Sequence, residues 1–528
     1  MFIGKKLLLA VVLASITAAA LAQKQGGTLR VPLRENPGSA SLHEESSIVT
    51  NFPFMTVFNN LVLFDQTDKV ARPESIKPDL ATDWSWSADN TVLTFKLRQN
   101  VKWHDGKPFT SADVKCTWDT LTGKRDAGWR KNVRREWYHN LKEVVADTPH
   151  EVRFVLGRPQ PSFMTLLATG WSAVYPCHVD GKSMRSKPIG TGPFKVADYR
   201  PGDSLKLVRN PDYWKPGMPY LDGIDYKIIP SSATRTLAFV AGQFDMTFPG
   251  DASATVTKDI LAQAPRSVCE AVPNNVTQVL LLNHKSPLLQ DAKVRRAISL
   301  ALDRNAFVQA QQGYGRLGGV MMSPPHGVWG LTTEQLSAVP GYGKDIEKSR
   351  AEARKLMEEA GFGPNRKLKL TYIVRQSSPQ YMQGASIVAD QLRTIYIDGE
   401  IEQKEYSIFT GMIMKGAYSL AFHTTGAAVD DPDVVYYENY MCASQRNYTK
   451  YCSKEIETKI DTQSATIDPI KRKQLVQQID LALQQDIARP TLYHTLSGTC
   501  WQPYVKGFLR AINGIYSHNR MEQVWLDK

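Results

Sequence analysis

The sequence predicts an α/β protein with several domains, and three observations support this fold class. Strand and helix patterns alternate through the second half of the chain, as they do where helices connect strands. Stretches of period-two alternation near the N-terminus and in the middle indicate further strands. The 528 residues exceed what a single hydrophobic core usually supports and correspond to roughly two to four domains.

The first half contains several predicted strands and one well-marked helix start. Apolar side chains occupy every second position in residues 29–33, 93–97 and 204–208, which predicts three strands. Thr110 and Asp113 have the spacing of a capping box, so we expect a helix to begin there.

The second half alternates helices and strands. Residues 291–302 have apolar positions at helical spacing, and Asp303 is placed to cap a following helix. Another helix runs through residues 349–360 and should stop at Gly361. A strand and then a helix are predicted within residues 367–396.

The N-terminal stretch is typical of a secretory leader. Two lysines precede an apolar run over residues 7–16, and residues 20–22 form an A-x-A cleavage pattern. We expect residues 1–22 to be a signal peptide, with a mature periplasmic protein that begins near Gln23. Loss of the two lysines lowers the formal charge from +12 to +10, a mildly basic balance that could favour anionic ligands. No basic tract with interleaved aromatic residues indicates nucleic-acid binding.

The cysteine count favours disulfides over a zinc site in an exported protein. Cys442 and Cys452 are close enough in sequence to close a small loop, a link worth about 2–3 kcal/mol by loop entropy. The pairing of the other four stays open: Cys116, Cys177, Cys269 and Cys500.

The sequence contains none of the common catalytic signatures. There is no P-loop, dinucleotide fingerprint, G-x-S-x-G elbow or H-E-x-x-H pair. We therefore predict neither an enzyme nor a cofactor, and an exported hydrolase or transferase remains the alternative class.

Four stretches resemble the extracellular solute-binding proteins of the peptide, nickel and opine type (family 5), which serve ABC importers. They are "PDLATDWSWSADNTVLTFKLRQNVKWHDGKPFTSADV" (78–114), "PIGTGPFKVADYRPGDSLKLVRNPDYW" (188–214), "DAKVRRAISLALDR" (291–304) and "NYTKYCSKEIETKI" (447–460). The resemblance implies a two-lobed periplasmic binding protein (type II) that closes around a small organic solute. A chemosensory or chaperone-like receptor on the same fold is a further alternative.

The resemblance also implies a division of the chain and a set of partners. The partners would be an ABC permease and ATPase complex in the inner membrane, served by a monomeric binding protein. The implied parts are a discontinuous first lobe (26–55, 190–282 and 492–528), an extra subdomain inserted in it (56–189) and a second lobe (283–491).

Arg375 is the residue that the resemblance assigns to ligand recognition. In dipeptide-binding members, an arginine at the matching place receives the carboxylate of the ligand. A guanidinium suits this task because its paired donors meet both carboxylate oxygens. The alternative is an exposed arginine or one paired with a carboxylate of the protein itself.

The loop before "VVYYENY" departs from the dipeptide-binding pattern. Those members carry a Trp-x-Gly-Asp sequence whose aspartate binds the ammonium group of the peptide, and this chain has Thr425 and Ala428 at the matching places. The absence of the amine-binding aspartate favours a ligand without a free ammonium, such as an opine-like conjugate, a modified peptide, an aromatic acid or a sugar phosphate. Asp430 or Asp431 would replace the clamp if the loop were shifted; as the alternative, Asp430, Asp431 and Asp433 form a turn and a helix cap.

Apolar and aromatic residues complete the predicted ligand contacts. Trp171 and the loop with Met322, His326 and Trp329 match segments that face the ligand in relatives, and each has core packing as its alternative. No metal site is predicted: the aspartates lack the ligand spacing of a Ca²⁺ loop, and a nickel or haem role for His326 is the least favoured interpretation.

Overall fold

The structure is a computed structural model that describes residues 23–376 and 379–528. The predicted signal peptide, residues 1–22, lies outside the described residues. The strands are β1 Thr28–Leu33, β2 Val62–Phe64, β3 Ile76–Pro78, β4 Ala81–Trp86, β5 Val92–Leu97, β6 Leu141–Thr148, β7 Glu151–Leu156, β8 Phe194–Arg200, β9 Ser204–Arg209, β10 Gly223–Ile228, β11 Val268–Leu282, β12 Gly315–Arg316, β13 Leu368–Arg375, β14 Ile397–Lys404, β15 Leu420–Gly426, β16 Thr491–Trp501, β17 Val505–Lys506 and β18 Trp525–Leu526.

The α-helices connect and cover these strands. They are α1 Ile48–Phe54, α2 Ser111–Leu121, α3 Phe163–Ala168, α4 Gly181–Ser186, α5 Ser232–Val240, α6 Ala254–Gln263, α7 Ala292–Ala301, α8 Arg304–Ala310, α9 Thr333–Ser337, α10 Ile346–Glu359, α11 Pro379–Arg393, α12 Tyr406–Lys415, α13 Pro432–Asn439, α14 Lys454–Ala465 and α15 Pro469–Gln485.

Three sheets organise the molecule. The first sheet has the strand order β1-β10-β9-β8, with β1 parallel to β10. The inserted sheet, β4-β5-β7-β6, is antiparallel throughout. The large sheet has the order β12-β16-β11-β15-β13-β14 and is mixed, because β13 runs parallel to β14 and β15 while β11 runs antiparallel to β15 and β16.

The local patterns of the sequence form the predicted elements. The alternating residues 29–33 become β1, in which Leu29, Val31 and Leu33 are fully buried. Residues 93–97 lie in β5 and residues 204–208 in β9. Alternation predicts strands here because successive side chains point to opposite faces of a sheet.

The helix boundaries follow the predicted caps. Thr110 and Asp113 form a capping box at the start of α2, and the Asp303 side chain accepts hydrogen bonds from two backbone N–H groups at the start of α8. Gly361 follows α10 with a φ of +85°, a left-handed conformation that ends helices and favours glycine.

The long strands β11 and β16 run side by side through two structural regions. Their pairing is regular from Val268 to Pro273 and breaks between Pro273 and Thr277. From Val276 onward β11 also pairs with β15, inside the large sheet. The strand therefore enters the large sheet ahead of the predicted lobe border at residue 283.

The hydrophobic core consists mainly of two large clusters. One joins the first and inserted sheets and also includes Val434, Tyr437 and Ile479 from α13 and α15. The other surrounds β13 and β15, with Tyr372 and Phe422 among its members. Part of the segment predicted as the second lobe thus packs against the first and inserted sheets.

All six cysteines are paired. The disulfides include the predicted link between Cys442 and Cys452, and the other two are Cys116–Cys177 and Cys269–Cys500. Cys269 and Cys500 face each other directly across β11 and β16. Among the helices of the described residues, none has the length and apolar character needed to cross a membrane.

Candidate functional site

A cavity of about 430 Å³ lies between the end of β1 and the β11, β15 and β16 strands of the large sheet. The charged residues that line it are Arg34 and Asp251. Most other polar lining residues are neutral hydrogen-bonding groups, among them Gln278, Thr424 and Ser497. The volume is in the usual range for small-molecule sites, roughly 300–1,000 Å³.

A smaller space, which we call the inner chamber, adjoins this cavity and has a volume of about 60 Å³. Arg34, Tyr381 and Tyr516 are among the residues that line both spaces. The charged residues of the inner chamber are Arg34, Arg375 and Arg446, and no carboxylate is among its described lining residues. The arrangement suits an anionic group.

Arg375 lies at the end of β13, with its guanidinium in the inner chamber. Its Nη2 donates a hydrogen bond to Oε1 of Glu35 at 2.5 Å. The guanidinium carbon is 5.2 Å from the ring centroid of Tyr381 and 4.5 Å from that of Tyr406. Burial opposes the charge of Arg375, but Tyr381 and Glu35 outweigh it and raise its pKa. Arg375 is therefore a fixed cation.

Positive and negative side chains alternate in a series of ion pairs that includes the lining residues Arg34, Asp251 and Arg375. Glu35 lies 2.5 Å from Arg375 and 3.8 Å from Arg34. Asp251 lies 3.7 Å from Arg34 and 2.7 Å from Arg235. The chain of three arginines and two carboxylates has an excess of one positive charge.

Arg446 also belongs to a buried arrangement of two arginines and one carboxylate. Its Nη1 lies 2.7 Å from Oε2 of Glu438, and Nε of Arg134 lies 3.2 Å from the other oxygen of the same carboxylate. Two guanidiniums that share one carboxylate have a net charge of +1, which increases the attraction of this region for anions.

His423 lines the inner chamber as a neutral imidazole. Its ring is buried and lies 5.7 Å from that of Phe409 and 5.5 Å from that of Tyr448. Burial, followed by the fields of Arg489 and Arg375, holds its pKa well below the usual value. His423 therefore adds hydrogen-bonding capacity without charge.

The aspartates after β15 lie in networks with other protein groups. Asp430 accepts hydrogen bonds from the Val328 N–H at 2.8 Å and from the Asn275 amide at 3.1 Å, and burial raises its pKa to about 6. Asp431 caps α13 and forms a two-point ion pair with Arg472 at 2.9 and 3.1 Å. The helix-cap alternative is confirmed for Asp431.

Neither of these aspartates is among the lining residues of the cavity or the inner chamber. Thr425 also lies outside both and lines a separate gap of about 20 Å³ beside Arg489. Ala428 is buried, and its backbone oxygen accepts a hydrogen bond from the Ser517 hydroxyl. Their assignment as ligand contacts stays a prediction.

The predicted aromatic contacts lie around the site rather than in its lining. Trp171 packs 5.5 Å from Tyr516, which lines both spaces. Trp329 donates from Nε1 to the backbone oxygen of Asp430 at 3.0 Å. Met322 is buried, and His326 is partly exposed. In the part of the chain that the structure describes, no group of three or more His, Cys, Asp and Glu residues is placed to hold a metal ion.

Several lining residues were not predicted from the sequence: Arg34, Tyr381, Tyr406, Asp251 and Arg446. Glu35, the hydrogen-bond partner of Arg375, was not predicted either. One signal was present, since Arg34 and Glu35 are adjacent charges directly after a strand in which Leu29, Val31 and Leu33 alternate with other residues. Charges at that position are placed where a strand leaves the core, which is a common location for binding groups.

Residues 75–447 match the sequence model of the bacterial extracellular solute-binding proteins, family 5 Middle. The dipeptide-binding protein of Escherichia coli K12 is 25% identical over 539 aligned positions, which cover 96% of this chain and 95% of that protein.

Solved structures share the fold. DppA from Helicobacter pylori, in complex with the peptide STSA, has a TM-score of 0.82 and 23% identity over 96% of this chain and 99% of that chain. AgaA from A. tumefaciens R10, in complex with agropinic acid, has a TM-score of 0.82 and 22% identity over 95% and 99%. Both are periplasmic binding proteins, so the two-lobed α/β fold is shared. The family match covers well over half of the 528 residues, and the chain therefore belongs to the bacterial extracellular solute-binding proteins of family 5.

Proposed function

We propose that this protein is the periplasmic substrate-binding component of an ABC importer and that it captures a carboxylate-bearing organic solute. The observation that carries the proposal is the charge of the inner chamber, where three arginines and no carboxylate are among the described lining residues. An anion placed there would meet charge-assisted hydrogen-bond donors in a site largely removed from water, where such bonds are strong.

The lining of the larger cavity indicates which functional groups the rest of the solute carries. Its glutamine, serine, threonine and tyrosine side chains both donate and accept hydrogen bonds. Such a wall suits a body that carries amide or hydroxyl groups. A peptide-like or opine-like compound has both parts, a polar body and a carboxylate.

A free ammonium group is not required by this site. At the place of the amine-binding aspartate this chain has Ala428, while Asp251 is already paired with Arg235 at 2.7 Å. We therefore favour a solute whose amine is blocked or absent, such as an opine-like conjugate or a modified peptide.

Transport follows from closure of the two lobes on the solute. A ligand that contacts both lobes stabilises the closed form by its difference in affinity for the two states. The closed form would then be recognised by a permease and ATPase complex in the inner membrane. In the proposed division of the chain, Arg34 belongs to the first lobe and Arg375 to the second.

A thermal-shift experiment tests this function. The panel contains alanyl-alanine, N-acetyl-alanyl-alanine, octopine and galacturonate, with N-acetyl-alanyl-alaninamide and galactose as matched compounds that lack the carboxylate. We expect at least one acid to raise Tm and its matched neutral compound to have little effect. Stabilisation by galactose or the amide alone would contradict a carboxylate ligand, and stabilisation by alanyl-alanine alone would contradict the preference for a blocked amine.

A further inference from the structure

Arg34 holds a central position in the site. It follows the last residue of β1 and is among the few residues that line both the cavity and the inner chamber. Its side chain is 14% exposed. A group bound at this junction would have its charged end at Arg34 and its body in the larger cavity.

The ion pairs of Arg34 are longer than hydrogen bonds. Its Nε is 3.8 Å from Glu35, and its Nη1 is 3.7 Å from Asp251; within the described part of the chain, Nε has no hydrogen-bond partner. Guanidinium hydrogen bonds to carboxylates are usually about 2.7–2.9 Å. The N–H donors of Arg34 thus lie near two carboxylates, but not close enough to form hydrogen bonds with them.

The two neighbouring carboxylates have closer partners. Glu35 accepts from Arg375 at 2.5 Å, and Asp251 accepts from Nε of Arg235 at 2.7 Å. Burial opposes the charge of Arg34, but Tyr381, Glu35 and Asp251 together raise its pKa. The side chain stays cationic while its donors remain available.

Arg375 and Arg446 differ from Arg34 in having a carboxylate within hydrogen-bond distance, although Nε of each also has no partner in the described part of the chain. Arg375 donates to Glu35 and lies against the rings of Tyr381 and Tyr406. Arg446 lies 2.7 Å from Glu438. Each already has a close carboxylate partner within the protein.

We propose that Arg34 is the residue that receives the carboxylate of the solute, and that Glu35 retains Arg375 as its own partner across the cleft. This inference rests on the proposed function and specifies how a carboxylate-bearing solute is bound. The paired donors of one guanidinium meet both oxygens of a carboxylate. The Arg375–Glu35 pair then serves as a contact between the proposed lobes rather than as the anion receptor.

Calorimetric titration of the full mature protein with the acid that gives the largest Tm shift in the panel above tests the inference. We expect Arg34→Gln to weaken binding of the acid by about 10- to 100-fold. Arg34→Lys should also weaken it, by about 10-fold, because lysine keeps the charge and loses the fork. The matched neutral compound should bind all three proteins equally.

The Arg375–Glu35 pair requires a double variant. Arg375→Gln alone would leave the charge of Glu35 uncompensated and repel an anion, whereas Arg375→Gln with Glu35→Gln removes both charges. We expect the double variant to bind the acid within about threefold of wild type, a difference below 1 kcal/mol. Arg200→Gln, at an arginine that is 70% exposed, is the control for loss of a remote positive charge.

The outcomes separate the two proposals. Unchanged affinity in Arg34→Gln, or a larger loss in the double variant than in Arg34→Gln, overturns the role of Arg34 and leaves the importer function in place. If no acid stabilises the wild-type protein, the carboxylate ligand is wrong and the role of Arg34 falls with it. The Tm of each variant without ligand, together with Arg34→Lys, shows whether a loss reflects misfolding.

Discussion

The guanidinium carbon of Arg134 lies 3.7 Å from the ring centroid of Trp171. The guanidinium lies over the face of the indole ring, and the electrostatic field of the ring favours a cation at that position. Nε of Arg134 is also 3.2 Å from the Glu438 carboxylate. Trp171 therefore links a buried ion pair to Tyr516, a residue that lines both spaces of the site.

Trp171→Ala should destabilise the protein by about 3–5 kcal/mol, the usual range for removal of a buried tryptophan. Urea unfolding without ligand measures this loss. Trp171→Phe keeps an aromatic face and should lose less. If Trp171→Phe bound the acid more than about tenfold more weakly at unchanged stability, the side chain would be a ligand contact and not a support for Tyr516.

Asp433 is predicted to be essential for stability. Its carboxylate is fully buried and accepts from Ser162 and Ser464, both at 2.6 Å, and lies 3.3 Å from Arg472. Asp433→Ala leaves these donors unpaired, and we expect a loss of about 3–5 kcal/mol. Urea unfolding beside the exposed control Asp198→Asn measures it. A loss below about 1 kcal/mol would contradict a structural role.

Glu45 should make stability depend on pH. Burial raises its pKa to about 7, compared with about 4.3 in an unfolded chain. Between these values the folded protein holds a proton that the unfolded chain has released, so stability falls as pH rises through this window. The full loss of stability, about 4 kcal/mol, is present above pH 7.

Glu45→Gln should remove this effect. We expect the variant to be more stable than wild type at about pH 8 and similar to it at about pH 4.5. Urea midpoints at the two pH values, with the exposed Glu74→Gln as control, make the comparison. An equal gain at both values would point to packing instead of ionisation.

Two of the disulfides should differ in their contribution to stability. Cys269 and Cys500 are separated by 231 positions, while Cys442 and Cys452 are separated by 10. The larger loop loses more unfolded-state entropy on closure, and the entropy model gives about 5 and 3 kcal/mol respectively. We expect the Cys269→Ser/Cys500→Ser variant to have the lower Tm. The reverse order would show that native-state effects exceed loop entropy.

The elements that could be predicted from the sequence are those determined by interactions between residues close together in the chain. β1, the capping box of α2 and the Gly361 stop each depend on residues within a few positions of one another. The family resemblance supplied the two lobes, which no local pattern indicates.

The candidate site was harder to predict because its contacts join distant parts of the chain. Glu35 and Arg375 are 340 positions apart, and no spacing rule connects them. The aspartates after β15 drew attention as a local acidic group, yet the charge that balances Asp431 comes from Arg472, 41 positions later. A dense cluster of carboxylates in sequence is thus not a sign of a ligand until its counter-charges are known.

The Cys269–Cys500 disulfide has a mechanical consequence. It ties β11 to β16 on the side of the pairing break that faces away from the rest of the large sheet. A covalent link there holds Cys269 and Cys500 in register, so the two strands cannot slide past each other at that end. The relative position of the two strands can therefore change more easily beyond the break between Pro273 and Thr277, where the regular pairing is interrupted.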